Sequence, residues 1–220
     1  TDMGVSWSAQ SSGTFFDLLD VHFASDGLTG VAVGAAGTIL RTTNGGQAGG
    51  LELVTAASRK GGFDIDLPLE GEPGIECRSG GNGGHFKLIL TFNNELIAVD
   101  SVSTSCGAIA SSAIGPDDPH HFRISLSDVT CNAEFVTVTL AGVHDAEGNT
   151  LPSLEIPFGL LLGDINGDGV VDSNDSQQVK LDRGQETDST NFREDTNTTG
   201  RIDAVDFALV KSQLGTMLPP

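Results

Sequence analysis

The alternation of apolar and polar positions divides the chain into three textures. Residues 1 to about 50 are rich in Gly, Ser and Thr, with short apolar runs at Leu18-Leu19-Asp20-Val21-His22-Phe23, Gly30-Val31-Ala32-Val33-Gly34 and Thr38-Ile39-Leu40-Arg41-Thr42. Separated by Gly-rich turns, these read as the strands of a small antiparallel sheet. From 51 to 158 the two-residue period is cleaner: Phe86, Leu88, Leu90 and Phe92 fall on one face, with His85, Lys87, Ile89 and Thr91 on the other. Phe122, Ile124 and Leu126 repeat it, as do Val136, Val138 and Leu140. Further candidates at 51–57, 62–67, 74–78, 96–104 and 154–158 predict a β-sandwich of roughly eight or nine strands.

After Pro157 and Gly159 the texture changes to Asp, Asn and Gly, followed by helix-like stretches at about 173–182 and 204–214. Val179 with Leu181, and Phe207, Leu209, Val210 and Leu214, are the expected apolar faces. The expected fold is therefore mainly β, in three parts: a blade-like β segment over 1–50, an antiparallel β-sandwich over 51–158 and a small α-helical module over 159–220.

Thirty acidic against eleven basic residues give a formal net charge of -19. Nucleic acid and anionic membrane surfaces both need a basic footprint, so neither is an expected partner. With 38% hydrophobic and only 19% charged residues, the chain is too apolar for a disordered acidic tail. No apolar stretch reaches the ~18 residues of a membrane span. The first residue is Thr1, which fits a secretory leader removed or not included.

Chemistry is most legible in Asp164-Ile165-Asn166-Gly167-Asp168-Gly169-Val170-Val171-Asp172-Ser173-Asn174-Asp175. Oxygen side chains stand at positions 1, 3, 5, 9 and 12 of a twelve-residue loop, and Gly169 at position 6 permits the sharp turn that brings them together. A hard cation such as Ca²⁺ takes about six to eight oxygens, and Asp164, Asn166, Asp168, Asp172 and Asp175 with the carbonyl of Val170 supply that donor set. Position 12 is Asp175 where an EF-hand has Glu, so the helix that leads into an EF-hand loop is expected to be missing. Thirty-one residues later the pattern returns as Asp195, Asn197, Thr199, Asp203 and Asp206, with the carbonyl of Arg201. Thr199 replaces a carboxylate by a hydroxyl, which makes the second site the weaker one.

This duplicated loop–helix arrangement, over about 160–216, resembles a dockerin domain. The resemblance implies two Ca²⁺, held by the residues just named, and helices that grip a cohesin, the receptor module of cellulosomes and other bacterial surface assemblies. The residues before position 12, which in dockerins contact the cohesin, are Ser173-Asn174 in one repeat and Ala204-Val205 in the other, so two equivalent docking modes are not expected. The segment from Gly184 to Phe192 between the repeats is polar and unusual.

Gly30 to Gly46, with Trp7, Ser12-Gly13-Thr14 and Leu19-Asp20-Val21 upstream, resembles one repeat of the Asp-box, bacterial neuraminidase type, although Gly49 stands where the Asp-box tryptophan should be. One repeat is one blade, and a propeller closes a ring of about 4 to 8. The middle segment, in particular Phe86 to Val99 and Phe135 to Val143, is similar in pattern to cohesin-like or immunoglobulin-like sandwiches. If the chain is secreted, as the dockerin resemblance implies, Cys106 and Cys131 are the candidate disulfide, while pairing of Cys77 with either remains open.

No catalytic constellation and no organic cofactor site emerges. Asp117-Asp118-Pro119-His120-His121 reads as an exposed turn, and Glu70, Glu72 and Glu76 fall in a Pro/Gly loop without paired-carboxylate spacing. The expectation is a non-enzymatic, extracellular or cell-surface calcium-binding structural protein, a subunit of a filament or layer, whose partners are copies of itself through β-strand and dockerin-like contacts. The first alternative is a binding module for a separate cohesin or carbohydrate. The second is the C-terminal fragment of a secreted hydrolase.

Overall fold

The computed structural model describes residues 16–25, 29–42 and 50–220, and is mainly β. Trp7, Ser12-Gly13-Thr14, Gly45, Gly46 and Gly49, invoked above for the blade-like repeat, lie outside the described residues. The chain forms two compact units, Thr1–Gly50 and Leu51–Pro220.

In the first unit, β1 (Leu18–Phe23), β2 (Gly30–Gly34) and β3 (Ile39–Thr42) make a three-stranded antiparallel sheet in sequence order. Val21 faces Ala32 and Ala32 faces Leu40, so one face carries an apolar row. That row is not covered well, since Val21 is 58% exposed.

In the second unit, nine strands form two sheets. β5 (Phe63–Asp66), β4 (Leu53–Lys60), β7 (Phe86–Phe92), β10 (His121–Ser127) and β9 (Ala108–Ile114) lie in that spatial order. The other sheet runs β6 (Ile75–Glu76), β12 (Thr150–Leu160), β11 (Glu134–Asp145) and β8 (Leu96–Thr104). All pairings are antiparallel except β6 with β12, where Ile75 lies opposite Gly159 and Glu76 opposite Leu160. The inward residues of both sheets share one core: Leu88, Leu90, Ile124 and Leu126 meet Val136, Val138, Leu140 and Phe158, all fully buried. Each such side chain contributes about 1.5–3 kcal/mol by leaving water. β9 was not expected from the sequence, because Ala-Ile-Ala-Ser-Ser-Ala-Ile lacks the alternation of large apolar with polar residues that marks a half-buried strand. Cys106, in the β8–β9 turn, and Cys131, between β10 and β11, are joined by a disulfide with Cα atoms 6.6 Å apart, and Cys77 is a buried free thiol.

The corner where β4, β5 and β6 meet is polar and closed. Glu76 is not a loop residue but sits in β6, with the side chains of Glu76 and Arg78 buried to 0% and 1% exposure. All five guanidinium donors of Arg78 are used: Nε and Nη2 reach Glu76 at 2.9 and 2.8 Å, and the rest reach the carbonyls of Lys60, Phe63 and Ser58. Ser58 Oγ donates to Glu76 Oε2, the oxygen that Nη2 also reaches, and Arg78 N donates to Oε1 at 2.9 Å. Removing either partner of such a saturated buried pair strands a charge, at a cost of about 3–5 kcal/mol.

Two helices follow the strands, α1 (Ser173–Asp182) and α2 (Ala204–Ser212). They are joined to the strands by a second buried cluster. Ile65 of β5 and Cys77, which follows β6, pack with Leu161, Ile165, Val171, Val179, Ile202 and Val210 of the C-terminal region. Leu181 is not part of an apolar inner face, as expected above, but is 80% exposed. Two positions from Val179 is about 200° around a helix, so the two cannot share a face. Leu214 lies just beyond α2 and is exposed.

Candidate metal centre

The two Asp/Asn loops precede α1 and α2 and superimpose in sequence with an offset of thirty-one. Every buried position of one has its counterpart in the other: Asp164 and Asp195, Ile165 and Thr196, Val171 and Ile202, Asp175 and Asp206, Val179 and Val210. The exposed positions match too, Ser173, Asn174, Gln177, Lys180 and Leu181 against Ala204, Val205, Ala208, Lys211 and Ser212. Neither loop is entered by a helix. The first follows β12 directly, and the described residues between α1 and Asp195 form turns.

Each helix begins with a capping box that also closes the loop. Asp172 accepts from Asn174 N at 2.6 Å while Asp175 accepts from Asp172 N at 2.8 Å. Asp203 and Asp206 do the same for α2. Two otherwise orphaned amides are thereby satisfied at each helix start, and the acidic residue of the first turn faces the positive end of the helix. The other oxygen of the last Asp reaches back across the loop: Asp175 Oδ1 accepts from Ile165 N at 2.8 Å and Asn166 N at 3.2 Å, and Asp206 Oδ1 accepts from Asn197 N at 3.1 Å and Thr196 Oγ1 at 3.2 Å.

The first Asp holds the turn. Asp164 accepts from Gly167 N, Asp168 N and Gly169 N at 2.8, 3.2 and 2.9 Å. Asp195 accepts from Thr199 N and Gly200 N at 3.0 and 2.8 Å, and from Thr187 Oγ1 at 2.8 Å. Gly169 and Gly200 both have φ near +85°, a region that glycine enters freely. At the third residue after Asp195 the second loop puts Thr198 at φ 55°, where the first has Gly167.

The middle ligand positions are exposed or partly so. Asn166 Nδ2 donates to Asp168 Oδ2 at 2.7 Å, and Asp168 N donates to Asn166 Oδ1 at 3.1 Å. In the second loop Thr199 Oγ1 turns to the carbonyl of Arg201 at 3.4 Å. Both position-7 residues are engaged in main-chain pairing across the repeats. Val170 bridges to Met217, beyond α2, and Arg201 bridges to Glu186, beyond α1. The segment leaving each helix therefore clamps the other helix's loop.

The charges in these loops are in tension. Burial pushes the Asp164 carboxyl up, the bonds from Gly169 and Gly167 pull it back, and the neighbouring Asp175 raises it again. Asp206 behaves alike, with burial first, opposing bonds from Asp203 and Asn197, and Asp195 raising it. Among the described residues no three His, Cys, Asp or Glu side chains close into a ready cluster. What each loop offers instead is a pair of buried, mutually repelling carboxylates ringed by amide, hydroxyl and carbonyl oxygens. That all-oxygen set fits a hard divalent cation, whose charge relieves the repulsion.

Some residues near the loops carry signals the sequence reading passed over. Phe192 and Arg193 reach from between the repeats to the strands, and Glu194 is nearly buried with Oε2 lacking a hydrogen-bond partner, so that burial pushes its carboxyl up. Their type and spacing follow no motif, and only the two-body packing reveals them. Away from the loops, Asp118 pairs with His120 at 3.0 Å and with His121 at 3.6 Å in a half-exposed turn, and among the described residues this makes no group that could hold a metal ion.

Residues 162–215 match the family model of the dockerin type I domain. No curated protein and no solved structure matches the chain. The match supports a dockerin-like C-terminal module, a class that binds Ca²⁺ and cohesin partners and is non-catalytic. Among the described residues no helix is long and apolar enough to cross a membrane.

Proposed function

We propose that residues 159–220 form a calcium-dependent docking module, built onto the β-sandwich, of a non-enzymatic extracellular assembly protein. Asp164, Asn166, Asp168, Asp172, Asp175 and the Val170 carbonyl hold one ion. Asp195, Asn197, Thr199, Asp203, Asp206 and the Arg201 carbonyl hold a second, weaker one. The observation that carries this reading is the thirty-one-residue duplication, which repeats the acid pair, the capping box and the outward helix face together. Bound calcium supplies positive charge between acids that otherwise repel. The chain's own residues do the rest: Asp175 and Asp206 tie each loop to its helix, and the buried Val179 and Val210 fix which helix face is left outward.

That outward face differs between the repeats. On α2 it presents Ala204, Val205 and Ala208, with Val205 52% exposed, whereas on α1 it presents Ser173, Asn174 and Gln177. The apolar α2 face is the docking surface we assign to a cohesin-like partner. Capture on the full-length protein in millimolar Ca²⁺ and in chelator tests this. A distinct partner retained only with Ca²⁺, and lost in Val205→Asp, supports it, while retention unaffected by chelator contradicts it.

Self-association, into a filament or layer, is a second reading favoured by the uncovered apolar residues of the β1–β2–β3 sheet, Leu19, Val21 and Ile39. Sedimentation of the pure protein over a wide concentration range decides it, since a monomer throughout removes this reading.

A further inference from the structure

The segment Phe192–Thr196 supplies no ligand to the first loop, yet it ties that loop to the strands at several points. Phe192 stacks on Phe63 of β5 with ring centroids 5.4 Å apart, and the Arg78 guanidinium carbon lies 5.4 Å from the Phe192 ring centroid. Arg193 Nε donates to the Ile165 carbonyl at 2.6 Å, and its Nη2 donates to the Asp164 carbonyl at 3.0 Å and to the Ile75 carbonyl at 3.4 Å. Thr196, the second residue of the second loop, accepts from Ser79 N at 2.7 Å. On its other side the same stretch, β6 and the residues that follow it to Ser79, is tied to the approach of the first loop, because Gly163 N donates to the Cys77 carbonyl at 3.0 Å.

One guanidinium thus binds the first two carbonyls of the first loop and a carbonyl of β6. Gripping the main chain of Asp164 and Ile165 from outside the loop fixes where the Asp164 carboxylate stands. The same grip makes the position of β6 depend on that loop. We propose that Phe192–Thr196 is a latch coupling cation binding in the first loop to the β6 edge of the sandwich, with Arg193 as its positioning residue. This rests on the calcium reading above. A residue that orients a ligand from behind commonly changes metal affinity by about 10–100-fold when removed.

The test uses the full chain. Calcium binding to the first loop is read by calorimetry in an Asp206→Asn background and to the second in an Asp175→Asn background, each with and without Arg193→Gln. Hydrogen exchange of residues 74–79 is followed in Ca²⁺ and in chelator. The expected result is a loss of about tenfold or more in first-loop affinity, about twofold or less in the second, and partial rescue by Arg193→Lys, which keeps one cationic donor but not the fork. In the parent protein, chelation accelerates exchange over 74–79, and Arg193→Gln abolishes that calcium dependence. First-loop affinity unchanged by Arg193→Gln, or exchange over 74–79 indifferent to Ca²⁺ in the parent, overturns the latch while leaving the calcium reading intact. If Arg193→Gln does not fold, the parent's exchange decides alone. A parent that binds no Ca²⁺ at all overturns both.

Discussion

Phe63 of β5 and Phe192, three residues before the second Asp/Asn loop, stack with planes 15° from parallel and centroids 5.4 Å apart. A stack between an element of the sandwich and a residue of the C-terminal module means that the two share packing and not merely a covalent link. Replacing either ring by Ala is expected to cost about 2 kcal/mol, and the double replacement about 1 kcal/mol less than the sum, measured by denaturant unfolding. Strict additivity would show that the rings do not interact.

Loss of one acid at the end of either loop should remove one ion. Asp175→Asn and Asp206→Asn are each expected to lower the calorimetric stoichiometry by one Ca²⁺ and to shrink the chelator-induced fall in Tm. If Ca²⁺ stands ~100-fold above the dissociation constant, each site stabilises the folded chain by about 2.7 kcal/mol. An undiminished Tm response in both variants would place the ions elsewhere.

The clamp formed by the chain beyond α2 gives a one-sided prediction. Val171 N donates to the Thr216 carbonyl at 2.9 Å and Leu218 N to the Gly169 carbonyl at 3.0 Å, whereas the second loop is clamped by Gly184 to Thr187. Deleting residues 216–220 therefore removes support from the first loop alone. Affinity there is expected to fall by about tenfold, in line with the loss of outer-shell support, with the second loop unchanged. Equal weakening of both loops would contradict the crossed arrangement.

Lys60 supplies a pH signature independent of the ions. Its ammonium sits 3.7 Å from the Phe86 ring centroid and donates to the Ser79 carbonyl at 2.5 Å, and burial pulls its pKa down from 10.5 to about 8. Below pH 8 folded and unfolded chains both carry the proton, and the penalty for burying it is fully present. Between about 8 and 10.5 the folded chain has released a proton that the unfolded chain keeps, so stability rises with pH. Relative to Lys60→Met, the parent should gain up to about 3 kcal/mol across that window. A flat difference would mean that Lys60 is solvated.

Much of the candidate site was legible because the spacing of Asp164, Asn166, Asp168, Asp172 and Asp175 is local in sequence and returns at Asp195 to Asp206. The helices after the loops were legible from apolar positions such as Val179, Phe207 and Val210, and the structure adds that Asp172 and Asp203 cap them. The strands with large alternating residues, such as Phe86 to Phe92, were equally plain. β9 was not, because small residues at an edge carry little periodic signal. Nor was the union of module and sandwich: Cys77, Ile165 and Val210 lie far apart in sequence, and their common burial is a property of packing. Glu76 illustrates the same limit: it lies within the strand candidate 74–78, but nothing in the local pattern announces that Arg78 and Ser58 draw its carboxylate into the interior.

Cys77 offers the most direct test that the ion-binding loops and the sandwich share one core. Its thiol is fully buried, with burial pushing its pKa up to about 12, so labelling requires the cluster around Ile165, Val171 and Ile202 to open. At fixed pH and with Ca²⁺ ~100-fold above the dissociation constant, ion binding should suppress that opening by about 100-fold per site. The measurement is the rate of Cys77 alkylation in native full-length protein with Ca²⁺ and with chelator. Chelation is expected to accelerate alkylation by at least about 100-fold. An equal rate in both conditions, with Ca²⁺ shown to bind, would contradict a shared core.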